Sequence, residues 1–280
     1  MTGVYLSNDM IQAVKATRHG NRVEVEQVYT QTLPEGCVLG GRIMEQDVIA
    51  EQLKKLSADK VSSPLKISAD MGAMGIKLVS LPGLSSEKYM RRLIAESFHE
   101  STDAIYDYKT LGRNNDGTLN VLACRAERGL IKGYVDAFSS AGFRIRSLEP
   151  AVCGLIRLVQ FSKMLCASSF AVISVDAGCI SRYIFTDGIY RFGGRDRVFA
   201  KRSDSGFLNE LARVTASVRL SEYSVTNLLF CGASSSELEY VRSTLNDPQL
   251  KMAEFPDLPE VRFVNGGRLS EYVFAVGTVI

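Results

Sequence analysis

Apolar and polar positions alternate along the first thirty residues. Val4 and Leu6 lead to Ile11 and Ala13, set against Gln12 and Lys15. A Gly20-Asn21 turn follows, and then Val23, Val25 and Val28, set against Glu24 and Glu26. A period of two broken by tight turns predicts a strand, a hairpin and a third strand. The pattern returns at Phe170. Ala171 to Val175 is a strand, Asp176-Ala177-Gly178 a turn, Tyr183-Ile184-Phe185 a second strand and, after Asp187-Gly188, Ile189 to Phe192 a third. Helical patterning follows each meander. Val48, Ile49, Leu53 and Leu56 share a stripe between about Glu45 and Ser57, and Phe207, Leu208, Leu211, Val214, Val218 and Tyr223 trace a longer helix from about Ser205. An apolar strand, Asn227 to Cys231, then enters a turn at Gly232. These repeats predict a duplicated α/β architecture: residues 1–149 with a closing helix at 271–280, and residues 150–270.

A stretch at about 82–147 has no counterpart in the second half. Ser85 or Ser86 can cap a helix whose Tyr89, Met90, Leu93, Ile94 and Phe98 share a face. Asn114-Asn115-Asp116-Gly117 makes a polar turn into a strand from Leu119 to Cys124. A second amphipathic helix, with Leu130, Ile131, Tyr134, Val135 and Phe138, ends at Gly142. This is a small α/β insertion in the first unit.

Composition narrows the class. The chain of 280 residues is 46% hydrophobic and 23% charged, which excludes disordered, fibrous and disulfide-scaffold proteins. Its 33 Lys+Arg against 31 Asp+Glu leave a formal charge of +2, so bulk charge calls for no nucleic-acid partner. The six cysteines have no Cys-x-x-Cys spacing and read as small buried hydrophobes in a reducing compartment. The run from Met164 to Val175 is far shorter than the roughly 20 residues of a membrane span, and the amino terminus carries no basic segment before an apolar one. A cytoplasmic protein is expected.

His19 and His99 have no cysteine or carboxylate at ligand spacing and read as surface residues, so no zinc site is expected. Neither a Gly-x-Ser-x-Gly motif nor a phosphate-binding Gly-x-x-x-x-Gly-Lys motif is present. The basic segment Arg191 to Lys201-Arg202, interleaved with Phe192 and Phe199, has the residues to meet an anionic membrane or nucleic acid, but Asp196 and Asp204 dilute it and a solvated loop is the preferred reading.

The duplicated meander-plus-helix plan resembles the actin, Hsp70 and sugar-kinase superfamily, a ribonuclease H-like fold. Leu81-Pro82-Gly83-Leu84-Ser85-Ser86-Glu87-Lys88, Ala126-Glu127-Arg128-Gly129-Leu130, Ala141-Gly142-Phe143, Leu148-Glu149-Pro150 and the closing Tyr272 to Thr278 resemble the PilM-type family of type IV pilus assembly proteins. The resemblance implies that the insertion is the 1C subdomain shared with FtsA, and that subdomain 2B is reduced between Ser181 and Asn227. It also implies a nucleotide clamp of two strand turns, in which backbone N–H groups hold phosphate and an acid beside each turn holds hydrated Mg²⁺.

On that pattern Asp176, Gly178 and Ser181 form the second phosphate turn, with Asp176 the candidate metal ligand. In the first turn Tyr5 stands where the family has an acid, and Ser7, followed by Asn8 and Asp9, stands where it has glycine. Gln12 replaces a lysine, and Gly232-Ala233-Ser234 retains one glycine of the adenosine motif. Each lost charge-assisted contact costs about 1.5 to 3 kcal/mol, so weak or absent ATP and Mg²⁺ binding is expected, with Asp9 a partial substitute for the missing acid. On the bland reading Asp176 is a turn former, Gly232 to Ser235 a helix N-cap cluster and Tyr5 an ordinary strand residue. The resemblance further implies an adaptor at the inner face of the cell membrane, which holds the tail of a PilN-like inner-membrane partner in a groove walled by Tyr89, Leu93, Phe98 and Val121 and has scope for self-association. Plain core packing is the alternative for Tyr89 and Phe98. The rival functions are an ATPase or small-molecule kinase and an actin-like polymer subunit.

Overall fold

The alternating amino-terminal segment forms β1 (Thr2–Leu6), β2 (Met10–His19) and β3 (Arg22–Thr32), followed by the short pair β4 (Val38–Leu39) and β5 (Arg42–Ile43), helix α1 (Gln46–Ala58) and β6 (Leu65–Ala69). Next come β7 (Gly75–Leu81), α2 (Glu87–Ser97), β8 (Ala104–Arg113), β9 (Leu119–Glu127), α3 (Arg128–Ser140), β10 (Ile145–Pro150) and α4 (Ala151–Phe161). The second half holds β11 (Phe170–Asp176), β12 (Cys179–Thr186), β13 (Ile189–Arg197), α5 (Ser205–Arg219), β14 (Asn227–Cys231), α6 (Ser235–Leu245), β15 (Lys251–Glu254), β16 (Val261–Phe263) and α7 (Leu269–Val279). The structure is a computed structural model and describes residues 1–58, 61, 63–69, 72–83, 86–98, 103–223 and 225–280. Ser85 and His99 lie outside the described residues; Ser86 caps α2, its hydroxyl accepting the Tyr89 N–H.

Register shows the duplication directly. In the first large sheet β1 pairs antiparallel with β2 and β2 with β3, while β1 pairs parallel with β6 and β6 with β10. In the second, β11 stands in the place of β1, with β12 and β13 antiparallel on one side and β14 and β15 parallel on the other. The first sheet gains β16 beside β3, giving the order β10-β6-β1-β2-β3-β16. The two central strands are buried along their whole length, as strands covered on both faces must be.

Four cores follow from four helix layers. Helices α1 and α3 cover the outer face of the first sheet through Ile49, Leu53, Tyr134 and Phe138. Helix α5 covers the second through Phe207, Leu211 and Val214. Helices α4 and α7 fill the space between the sheets with Val152, Leu155, Val159, Phe274 and Val276. They cross at two glycines: a Cβ at Gly277 would lie 2.3 Å from the Gly154 carbonyl oxygen. That close approach packs the two helices tightly against each other. The fourth core lies under α2, on the three-stranded sheet β7-β9-β8.

This small sheet begins at Gly75, ahead of the expected start at about 82. Its terminal helix α3 packs into the core of the first large sheet through Leu130, Tyr134 and Phe138. Between Ser181 and Asn227 the described residues hold the rest of β12, β13 and α5. The basic segment expected as a solvated loop is in part a strand: residues through Arg197 lie in the edge strand β13.

Candidate functional site

Three strand ends meet in the cleft between the large sheets. β1 runs into Ser7-Asn8-Asp9, β11 into Asp176-Ala177-Gly178 and β14 into Gly232-Ala233-Ser234. The backbone explains two of the glycines: Gly178 has φ +70° and Gly232 φ +73°, and a Cβ at Gly232 would lie 2.7 Å from the Val175 carbonyl oxygen.

The side chains of the first turn fold back on their own protein. The Ser7 hydroxyl, fully buried, donates to Asp9 Oδ1 at 2.6 Å. The other carboxylate oxygen of Asp9 accepts the Ala177 N–H at 3.3 Å, across the cleft. Asn8 Oδ1 accepts the Gly40 N–H at 3.0 Å. Tyr5, packed at a tilt against Phe274 with centroids 4.8 Å apart, donates its phenol to Asp176 Oδ2 at 3.0 Å. Tyr5 is therefore more than an ordinary strand residue. Where an acid at its position would sit beside a second acid, the phenol supplies a donor instead. Asp9 reaches the second turn through its backbone N–H, the kind of group a phosphate turn presents to its ligand. Thus one oxygen of Asp176 and one N–H of the second turn are occupied from within the chain.

The third strand end is tied up as well. Ser234 caps α6 in a capping box, accepting from Glu237 N–H while its own N–H donates to Glu237 Oε2 at 2.7 Å. Arg202 donates to both oxygens of Glu237, at 2.7 and 2.6 Å, and to the Gly232 carbonyl. Burial raises the Glu237 pKa, but the bonds from Arg202 and Ser234 outweigh it and leave the carboxyl below its ordinary value. Ser181, a candidate phosphate ligand, is buried with its hydroxyl 3.6 Å from Cys179 Sγ. Ala233 packs against the core beneath α5.

A cavity of about 320 Å³ adjoins these ends, lined among others by Tyr5, Gln12, Thr30, Asp176, Gly232 and Glu271. Gln12 donates its amide to the Glu271 backbone carbonyl at 2.8 Å. Among the described residues the lining brings two carboxylates and no lysine or arginine. That donor set does not fit a triphosphate, whose oxygens require cations or free N–H groups.

Of the residues expected to wall a partner groove, three meet inside one small core and only Tyr89 faces out. Val121 is 0% exposed beneath α2, because the alternation of β9 turns it toward that helix; it is core and not surface. Leu93 and Phe98 are half-buried against the same core, Phe98 beneath the Lys77 ammonium at 4.9 Å. Tyr89 alone of the four is well exposed, at 48%. His19 is exposed at the end of β2. All six cysteines are free: Cys37, Cys179 and Cys231 are buried, and Cys166 is exposed, contrary to the expectation for this residue type.

No protein-family model and no curated protein matches the sequence. Solved structures do match. The PilM–PilN type IV pilus biogenesis complex is similar with a TM-score of 0.78 at 14% identity, over 99% of this chain and 96% of that one. A Bacteroides thetaiotaomicron protein of actin-like ATPase fold and unknown function is similar with a TM-score of 0.55 at 13% identity, over 100% and 95%. The fold is actin-like. The cytoplasmic domain of EpsL, an inner-membrane component of the Vibrio cholerae type II secretion system, gives a TM-score of 0.54 at 12% identity, over 99% and 94%. The meander, the helix pair between the sheets and the small three-stranded sheet are therefore parts of an actin-like body. Among the described residues no helix is long and apolar enough to cross a membrane.

Proposed function

We propose that this chain is a non-catalytic, actin-like adaptor of a type IV pilus or related secretion apparatus, held at the inner face of the cell membrane by the tail of a PilN-like partner. One observation carries the reading: the turns that meet in the cleft are bonded to one another by the chain's own side chains, with the Asp9 carboxylate on the Ala177 N–H and the Tyr5 phenol on Asp176. An ATPase or kinase would need those groups for phosphate and Mg²⁺. Filling them from within the chain keeps the lobes together without a nucleotide. Likeness to the PilM–PilN complex and to cytoplasmic EpsL supports the assembly role. A groove beside the three-stranded sheet is the expected seat for an extended tail, because sheet edges supply backbone hydrogen bonds to an incoming strand.

Co-expression with the cytoplasmic tail of the inner-membrane protein encoded beside this chain tests the proposal. The adaptor reading predicts a one-to-one complex that survives gel filtration in the absence of nucleotide. A complex that forms only with MgATP, or steady ATP turnover by the purified chain, would contradict it.

A further inference from the structure

A second cavity, of about 240 Å³, is lined from both halves of the molecule. The first half contributes Ala151 and Val152, which open α4, and Met74 and Ile76 at the start of β7. The second contributes Tyr190 and Arg195 of β13. Two glycines of the lining make room for these polar side chains. A Cβ at Gly193 would collide with the Tyr190 hydroxyl, and one at Gly72 with the Arg195 guanidinium.

Tyr190 is only 6% exposed. It packs in the same core as Ala151 and Val152, its ring edge-on to Phe185 with centroids 5.6 Å apart. Among the described residues its hydroxyl has no hydrogen-bond partner, and it sits beside Gly193 on the cavity wall. A buried O–H left unpaired is costly, and proteins elsewhere satisfy such groups. The 11-residue helix α4 presents a second set of donors. Pro150 stands at its N-cap, no side chain bonds its first turn, and that turn holds no acidic residue, so the positive end of the helix reaches the cavity uncompensated. The Nε of Arg195 donates to Cys179 Sγ at 2.6 Å, which fixes the guanidinium at this wall. Among the described residues the lining includes no carboxylate. The remaining wall is apolar, through Met74, Ile76 and Val152. A phosphate needs donors around all its oxygens, and this wall would leave some of them unpaired. A carboxylate on a short apolar body matches both halves of the lining.

We propose that the cavity between the start of α4, β7 and β13 binds a small organic carboxylate, its anionic group held by the first turn of α4 and the Tyr190 hydroxyl, and its apolar body against Met74, Ile76 and Val152. Because both halves line the cavity, the bound molecule bridges them. The site stands whether or not the adaptor reading holds.

Isothermal titration of the full chain with benzoate, and with the neutral benzamide of the same shape, tests this. Benzoate is expected to bind saturably and to raise the melting temperature as its concentration rises. Benzamide is expected to bind about tenfold more weakly, and Tyr190→Phe to weaken benzoate about tenfold. The Tyr190 hydroxyl bonds nothing within the described chain, so Tyr190→Phe without ligand should melt no lower than the parent, which shows that the variant is folded. No saturable binding of benzoate up to about 10 mM, equal affinity for benzoate and benzamide, or an unchanged benzoate affinity in Tyr190→Phe would overturn the proposal. So would Tyr190-dependent binding of inorganic phosphate in place of benzoate, which would mark an anion site without the apolar half.

Discussion

The cleft and the β10 edge of the first large sheet handle charge in different ways. In the cleft each carboxylate and turn N–H described above has an internal partner: Asp176 takes the Tyr5 phenol, Asp9 takes the Ala177 N–H and Glu237 takes Arg202. At the β10 edge Arg157 pairs with Glu149, while Lys66 on the neighbouring strand β6 is partly exposed to solvent. Polar groups bonded within the chain act as structure, whereas partly exposed ones are met by water. The two regions therefore differ in how far the chain satisfies its own polar groups.

The comparison presupposes that both regions sit on one joined body, and the largest expected effect tests that. Gly277→Leu drives a side chain into the Gly154 backbone, which has no room to give. A loss of about 3 kcal/mol is expected, read as a fall in melting temperature of roughly 6 °C or more. Next in size, Arg157→Met leaves Glu149 without its guanidinium and the Gly277 carbonyl without its donor. This should cost about 2 kcal/mol in chemical denaturation.

Tyr5→Phe sharpens the cleft side. It removes the donor from a buried Asp176 oxygen, and a loss of about 1.5 kcal/mol is expected with no gain of nucleotide binding. A smaller effect separates the two regions most plainly. Because burial disfavours the charged form of Lys66 and Lys109 in the folded state, Lys109→Met is expected to leave stability unchanged or raise it by about 0.5 kcal/mol. The sign of the pH effect follows. A lysine with a lowered folded pKa binds fewer protons than in the unfolded chain. Its contribution to stability therefore rises with pH, from the lowered folded value up to the ordinary lysine value of 10.5. Denaturation of the parent chain across that window should show a rise that Lys109→Met diminishes.

Much of the fold is legible in the sequence because strand alternation and helix stripes are local. The two meanders and the strand from Asn227 to Cys231 stand where their patterns place them. The cleft is legible only in part. Asp176, Gly178 and Gly232 sit at turns that composition marks, but the Tyr5–Asp176 bond joins residues 171 positions apart and leaves no local trace. Val121 shows the limit of reading one face of a strand. Leu119 to Cys124 is apolar at every position but Asn120, so the pattern marks no outward face; packing decides which residues meet α2, and Val121 goes inside. Lys66 and Lys109 are silent in the sequence for the same reason. Each looks like a fully solvated lysine until the fold buries part of it against neighbouring elements.

Isothermal titration of the purified full chain with MgATP tests the central claim most directly. With the cleft clasped by Tyr5, Asp9 and Arg202, no saturable heat is expected below about millimolar nucleotide. A saturating isotherm with a dissociation constant of about micromolar, abolished by Asp176→Ala, would mean that the cleft is a working nucleotide site and that the account is wrong.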